Sequence, residues 1–246
     1  MIKQYRIQLS AIDDQALNQS MAYQLYGALI KSMNTEFAEL LHSQNTSPIA
    51  QSLVKDSTKG KALWILNLFG ENAIKEVGSV LESCEQFYIS PHKLLVKVDH
   101  IDSLDKILWS DIICQAHEAN QKKYWKMHFN TTTSFKSNNE YMIFPTSVHI
   151  INSLINKWNN LSPEYIIEDE YVANALAKGC RITSYHARSN IFTMKGTVIP
   201  GFEGYVDITP KLSVPLLEIF KLLMIFSNYS GLGIKTSLGM GNVTVI

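Results

Sequence analysis

Residues 230–241, SGLGIKTSLGMG, stand almost at the end of the chain, with only Asn-Val-Thr-Val-Ile after them. The glycines fall as two pairs, Gly231 with Gly233 and Gly239 with Gly241. Glycine loops that cradle phosphate in dinucleotide folds and P-loops open a helix whose N-terminus faces the anion. Here the order is reversed. The apolar run VPLLEIFKLLMIFSNYS (214–230), with Pro215 in its first turn, reads as a buried helix before the glycines, and GNVTVI (241–246) reads as a strand after them. No Gly-Lys-Ser/Thr occurs, so a nucleotide fingerprint is excluded by context. Gly231 suits the left-handed residue that ends a helix, and Gly239 or Gly241 suits a strand bulge. Those roles leave glycines to spare. The reading that absorbs them is a loop whose N–H groups approach a sugar-phosphate backbone, with Lys235, Thr236 and Ser237 adding charge and donors.

Upstream of the loop the hydrophobic periods alternate between helix and strand. IKQYRIQLS (2–10) alternates as a strand, and from about Ala16 the spacing of Leu17, Met21, Leu25, Ala28 and Leu29 predicts an amphipathic helix. TEFAELLH (35–42) reads as a second helix, capped by Thr35 and ending at His42, where the carbonyl end of a helix favours a cation. ALWILNLFG is a buried strand ended by Gly70, ENAIKEVGSVLES a helix, and QFYISPHKLLVKVDHI one or two strands; PIAQSLV offers a further strand. After a charged connection at 101–121 the pattern restarts. It gives a strand at 124–136, a helix at 146–159 with Ser147 as cap, two strands between Arg181 and Ile208 around KGTVIPGFEG, then the buried helix and the final strand. The fold expected is therefore α+β. Two ferredoxin-like (RRM-like) domains stand in tandem, 1–118 and 119–246, and the second carries the C-terminal glycine-rich loop.

With 46% apolar residues the chain can bury a core in each unit. Its 22 Lys and Arg balance 22 Asp and Glu, but unevenly. Residues 1–118 hold 10 cations and 14 acids, a balance of −4; residues 119–246 hold 12 and 8, a balance of +4. That asymmetry points to anion binding in the second half. Three widely spaced cysteines argue against a disulfide framework, and the N-terminus lacks the apolar core of a signal peptide. A cytoplasmic protein without membrane attachment is expected. Cys114-x-x-His117 has ligand-like spacing but no second pair completes a tetrahedral site, so neither a metal nor a cofactor is expected.

The G-Φ-G-x5-G-Φ-G pattern (Φ apolar) before a final strand resembles the glycine-rich loop of the CRISPR repeat-RNA processing endoribonucleases, the precursor-cleaving branch of the RAMP superfamily. FAELLHSQNTSPI, TTTSFKSNNEYMIFP and MKGTVIPGFEGYVDI agree in order and place, so the resemblance spans essentially the whole chain. It is nearest to members that accompany type III-A interference complexes.

The resemblance implies metal-independent cleavage within the repeats of precursor CRISPR RNA, by attack of a 2′-hydroxyl on the neighbouring phosphate. The products are a 2′,3′-cyclic phosphate and a 5′-hydroxyl. It makes His42 the catalytic histidine, with general acid to the 5′-oxygen as its first role and general base as the alternative. Tyr26 matches the family's second catalytic position, with Tyr23 in competition. Several family members place a lysine shortly after the histidine; this chain has none before Lys55, so Lys31 and Lys55 are the candidates for charge stabilisation. Lys195, Arg188 and the loop residues Gly231, Gly233, Lys235, Gly239 and Gly241 are implied to hold RNA, with the cleavage site where the two units meet. The implied partners are precursor CRISPR RNA, a type III effector complex and a second copy of the chain. A non-catalytic RNA-binding subunit of a CRISPR ribonucleoprotein is the rival reading.

Overall fold

The structure, a computed structural model, describes residues 1–13, 15–43, 46–89, 94–119 and 122–246. Contacts divide it into two units, Met1–Lys106 with Ser237–Gly239, and Ile107–Thr236 with Met240–Ile246.

The first unit runs β1 (Ile2–Ala11), α1 (Ala22–Lys31), α2 (Thr35–Ser43), β2 (Ile49–Lys55), β3 (Lys61–Phe69), α3 (Glu71–Ser83), β4 (Gln86–Ile89), β5 (Leu94–Ser103). The strands lie in the order β2-β3-β1-β5-β4, each neighbouring pair antiparallel. Without the short edge strand β4 this is the ferredoxin-like split β-α-β arrangement. β1 shows why the sheet has one core face: Ile7, Leu9 and Ala11 are buried while Arg6 and Gln8 on the alternate positions are exposed. Leu25, Tyr26 and Leu29 of α1 and Val77 and Leu81 of α3 fill the same cluster. Each such aliphatic side chain contributes about 2 kcal/mol. A ten-residue helix such as α1 needs that tertiary support, because helices this short are marginal alone. A buried amide fastens the unit. Gln51 accepts from the Trp64 indole and donates to the carbonyls of Ala22 (2.9 Å) and Ser237 (3.1 Å).

Local details depart from the sequence reading. Helix α1 begins at Ala22, after a single 3-10 turn at Gln19–Met21, although Leu17 is buried all the same. Periodicity reports burial, and an irregular segment can meet it. Asn34 caps α2, its Oδ1 accepting the Glu36 N–H at 2.9 Å, and Thr35 is already helical. PIAQSLV does form a strand, β2.

The second unit contains α4 (Trp109–Glu118), β6 (Trp125–Thr133), β7 (Phe135–Ser137), β8 (Glu140–Met142), α5 (Ser147–Leu161), α6 (Glu170–Gly179), β9 (Cys180–Met194), β10 (Thr197–Pro210), α7 (Val214–Ser230) and β11 (Val243–Val245). Its sheet, β11-β6-β10-β9, is antiparallel throughout and repeats the ferredoxin-like order; β7 and β8 form a separate hairpin. Within the stretch that reads as a charged connection lies α4, and it belongs with this unit. Trp109 meets the ring of Trp158 edge-on at 5.5 Å, and Phe226 of α7 lies 6.1 Å from Trp109 and 5.1 Å from Trp158. Because α4 buries only Trp109, Ile112 and Ala116, its sequence is mostly polar and carries a weak helical signal. Thr146, not Ser147, caps α5 by accepting the His149 N–H. The long β9–β10 hairpin turns on Lys195 and Gly196, both at positive φ (49° and 78°), the two-residue geometry that matches strand twist. Among the described residues no helix is long and apolar enough to cross a membrane.

Candidate nucleic-acid interface

In the first unit, α2 carries His42 in its last turn; the His42 side chain lies outside the described residues. Leu41 beside it and Phe37 one turn earlier are buried in the core that also takes Tyr26. Only 8% of Tyr26 is exposed, and its hydroxyl bonds the side chain of Ser47, on the connection that follows α2. Burial raises the pKa of this phenol and the Ser47 bond opposes the rise only in part. Tyr26 is therefore a neutral hydrogen-bonding group at physiological pH. Tyr23 is half-buried and accepts from the Gln24 amide at 3.1 Å. Lys31 ends α1 and Lys55 ends β2, both exposed.

The glycine loop folds on itself. Gly231, Gly233, Gly239 and Gly241 all have positive φ. A Cβ on Gly233 would strike the Ser134 carbonyl oxygen, and one on Gly241 the Leu232 carbonyl oxygen. Both obstacles are backbone and cannot swing aside. The N–H groups of this stretch are largely committed within the chain. Leu232 donates to Gly241 O (2.8 Å), Ile234 to Ser134 O (2.9 Å), Gly241 to Thr132 O (3.0 Å) and Gly233 to Ser153 Oγ (3.0 Å). Thr131, Thr132, Thr133 and Ser134 are all buried, a polar rail along which the loop is laid. The glycines allow close self-packing, and the loop exposes the side chain of Lys235, at φ 56°. Its neighbour Thr236 faces inward, its hydroxyl accepting from the Lys157 ammonium at 2.7 Å. Gly239 approaches Ala22 at the start of α1, where a Cβ would meet the alanine methyl.

Of the other two cations, Lys195 is exposed at the hairpin tip and Arg188, with 78% of its side chain exposed, pairs with Glu203 at 3.3 Å across the strands. Sequence reasoning does not single out Ser153, Lys157 or Gln51. Ser153 and Lys157 are four apart on α5, a spacing that puts them on one helix face, but nothing local says which loop that face meets. Cys114 is exposed and His117 lies 3.7 Å from Glu218; no group of three His, Cys, Asp or Glu side chains able to hold a metal ion occurs among the described residues.

The two ferredoxin-like sheets, with glycines 231–241 before the last strand, share the fold of a RAMP protein described as binding different RNA substrates, at a TM-score of 0.64 and 16% identity over 99% of each chain. Residues 127–243 match the family model for the CRISPR-associated endoribonuclease Cas6. A Streptococcus thermophilus CRISPR-associated endoribonuclease Cas6 is 30% identical over 228 residues, 92% of this chain and 91% of that one. A Mycobacterium tuberculosis protein of the same description is 23% identical over 222 residues, 90% of this chain and 70% of that one. In fold, a Thermus thermophilus Cas6 product complex superposes with a TM-score of 0.84 at 19% identity, covering 100% of this chain and 99% of that one. The chain belongs to the Cas6 family of CRISPR-associated endoribonucleases.

Proposed function

We propose that this endoribonuclease cuts precursor CRISPR RNA within its repeats, without metal, by internal transesterification. The 2′-oxygen forms a bond to the adjacent phosphorus while the bond from phosphorus to the 5′-oxygen breaks. The 2′-hydroxyl proton passes to a base, the 5′-oxygen takes a proton from His42, and the products are a 2′,3′-cyclic phosphate and a 5′-hydroxyl. Tyr26 stays protonated and orients the segment around Ser47 that follows the histidine helix. Lys195 and Lys235 hold phosphates, as solvent-exposed cations do in RNA complexes.

The observation that carries this reading is 30% identity across 92% of the chain to an endoribonuclease, with a histidine placed in the last turn of α2. The test is cleavage of a repeat RNA in EDTA by wild type and by His42→Ala, beside an RNA with a 2′-deoxyribose at the cut site. Wild type is expected to cut the unmodified RNA alone, and the variant to lose at least about a hundredfold, the share a proton-transfer group supplies. Inhibition by EDTA, or cutting of the 2′-deoxy RNA, would sink the mechanism.

A further inference from the structure

Lys157 is the lysine whose position has no ordinary explanation. It lies half-buried on α5 beside the buried Leu154, Ile155 and Trp158, and desolvation pulls its ammonium down to about 8. The elements packed against α5 carry charges: Glu170 and Lys178 on α6, Glu218 and Lys221 on α7, Arg181 and Arg188 on β9. Yet no carboxylate among the described residues pairs with Lys157; Glu218 is taken by Lys221 at 3.0 Å and Glu203 by Arg188. The ammonium instead donates to a hydroxyl, Thr236 Oγ1, at 2.7 Å.

Thr236 is itself the wedge of the glycine loop. A Cβ on Gly231 would stand 3.1 Å from its methyl, and one on Gly241 3.0 Å, so the methyl sits where the two ends of the loop come together. One turn before Lys157 on the same helix, Ser153 accepts the Gly233 N–H at 3.0 Å. Two polar side chains at helical spacing therefore hold the loop on either side of its outward lysine, Lys235.

We propose that Lys157 is a positioning residue for RNA binding: through Thr236 it fixes the pose from which Lys235 meets the RNA backbone. The proposal rests on the reading of the protein as a repeat-RNA nuclease. A charged donor holds a hydroxyl more strongly than a neutral amine does, so loss of the Lys157 proton slackens the loop. Affinity for RNA then falls as the pH rises through about 8. An arginine, which keeps its charge, removes that step.

The experiment measures the affinity of full-length protein for a labelled RNA copying the repeat of the host's own CRISPR array, from pH 6.5 to 9.5. The proteins are wild type, Lys157→Met, Lys157→Arg, Thr236→Val, Lys235→Ala and the Lys235→Ala/Lys157→Met double variant. Lys157→Met and Thr236→Val are each expected to weaken binding roughly tenfold at pH 7, the worth of one charge-assisted hydrogen bond. Thr236→Val keeps the wedge and removes only the acceptor, so it reads the same contact if Lys157→Met fails to fold. Wild type should lose affinity between pH 7 and 9; Lys157→Met and Lys157→Arg should lack that step. In the Lys235→Ala background, Lys157→Met should cost less than about twofold more, since residues acting through one contact are not additive. Wild-type affinity in Lys157→Met and Thr236→Val, or full additivity with Lys235→Ala, overturns the positioning role while wild-type binding stands. A wild type that neither binds nor cuts the repeat overturns the nuclease reading, and the positioning role with it.

Discussion

Tyr26 shares a hydrogen bond with Ser47 and packs its ring in the core, so removing the hydroxyl alone separates catalysis from support. Tyr26→Phe should cost about 1 kcal/mol of stability, the net worth of one hydrogen bond, seen as a lower urea midpoint. Cleavage should fall no more than about tenfold, with the shape of its pH profile unchanged, because a phenol held neutral by burial is not the group that titrates. A thousandfold loss at full stability would place the hydroxyl on the reacting atoms instead. Single residues are also where the sequence is hardest to read. His42 stands out by its likeness to family members and not by its surroundings, since a histidine in the last turn of a helix is commonplace. Lys157 gives no signal at all, because a lysine is solvated by default and only the fold shows that this one is half-buried against Thr236. Arg188 reads in sequence as a cation free for RNA, whereas its pairing with Glu203 depends on a strand register that no local pattern reveals.

At the scale of elements, the glycine loop shows how a motif can be seen while what it packs against stays hidden. The sequence displays the glycines, the helix before them and the strand after them, all of which the structure contains. Hidden from it is the partner, the buried Thr131–Ser134 stretch at the end of β6, about a hundred residues away along the chain. Sheet order is non-local in the same way: β11 pairs with β6 and β1 with β5, and periodicity names the faces of strands but not their neighbours. The division of roles among glycines is testable. At Gly196, φ 78° in the hairpin turn, an added methyl would meet nothing within 4 Å, whereas at Gly241, φ 72°, the Leu232 carbonyl would block it. Gly196→Ala should therefore cost only the left-handed strain, roughly 1 kcal/mol. Gly241→Ala should cost that plus a backbone displacement, about 3 kcal/mol or more. Equal urea midpoints for the two variants would mean that the loop is not held by its own backbone.

For the molecule as a whole, 22 cations balance 22 acids, so net charge cannot steer RNA from a distance. The salt dependence of binding should instead count local contacts, each phosphate neutralised on a single strand adding about 0.7 to the slope of log K against log salt. The uneven division between the halves is legible in composition; which cations are held in ion pairs is not. In the second unit Lys126 pairs with Asp207, Arg188 with Glu203 and Lys221 with Glu218, while Lys195 and Lys235 are exposed and have no ion pair among the described residues. Lys195 at the hairpin tip and Lys235 in the glycine loop are the proposed phosphate contacts, so their loss should be felt at every RNA sequence. Lys195→Ala and Lys235→Ala are each expected to lower the slope by about 0.7 and together by about 1.4, whereas Arg188→Ala should change it less, because that guanidinium is already paired with Glu203. Lys59→Ala and Lys75→Ala, exposed cations of the first unit, should leave it unchanged. Affinity titrations across a salt series decide the matter: a slope that drops equally for all five substitutions would show that charge acts diffusely, and that neither the hairpin tip nor the loop lysine is a specific phosphate contact.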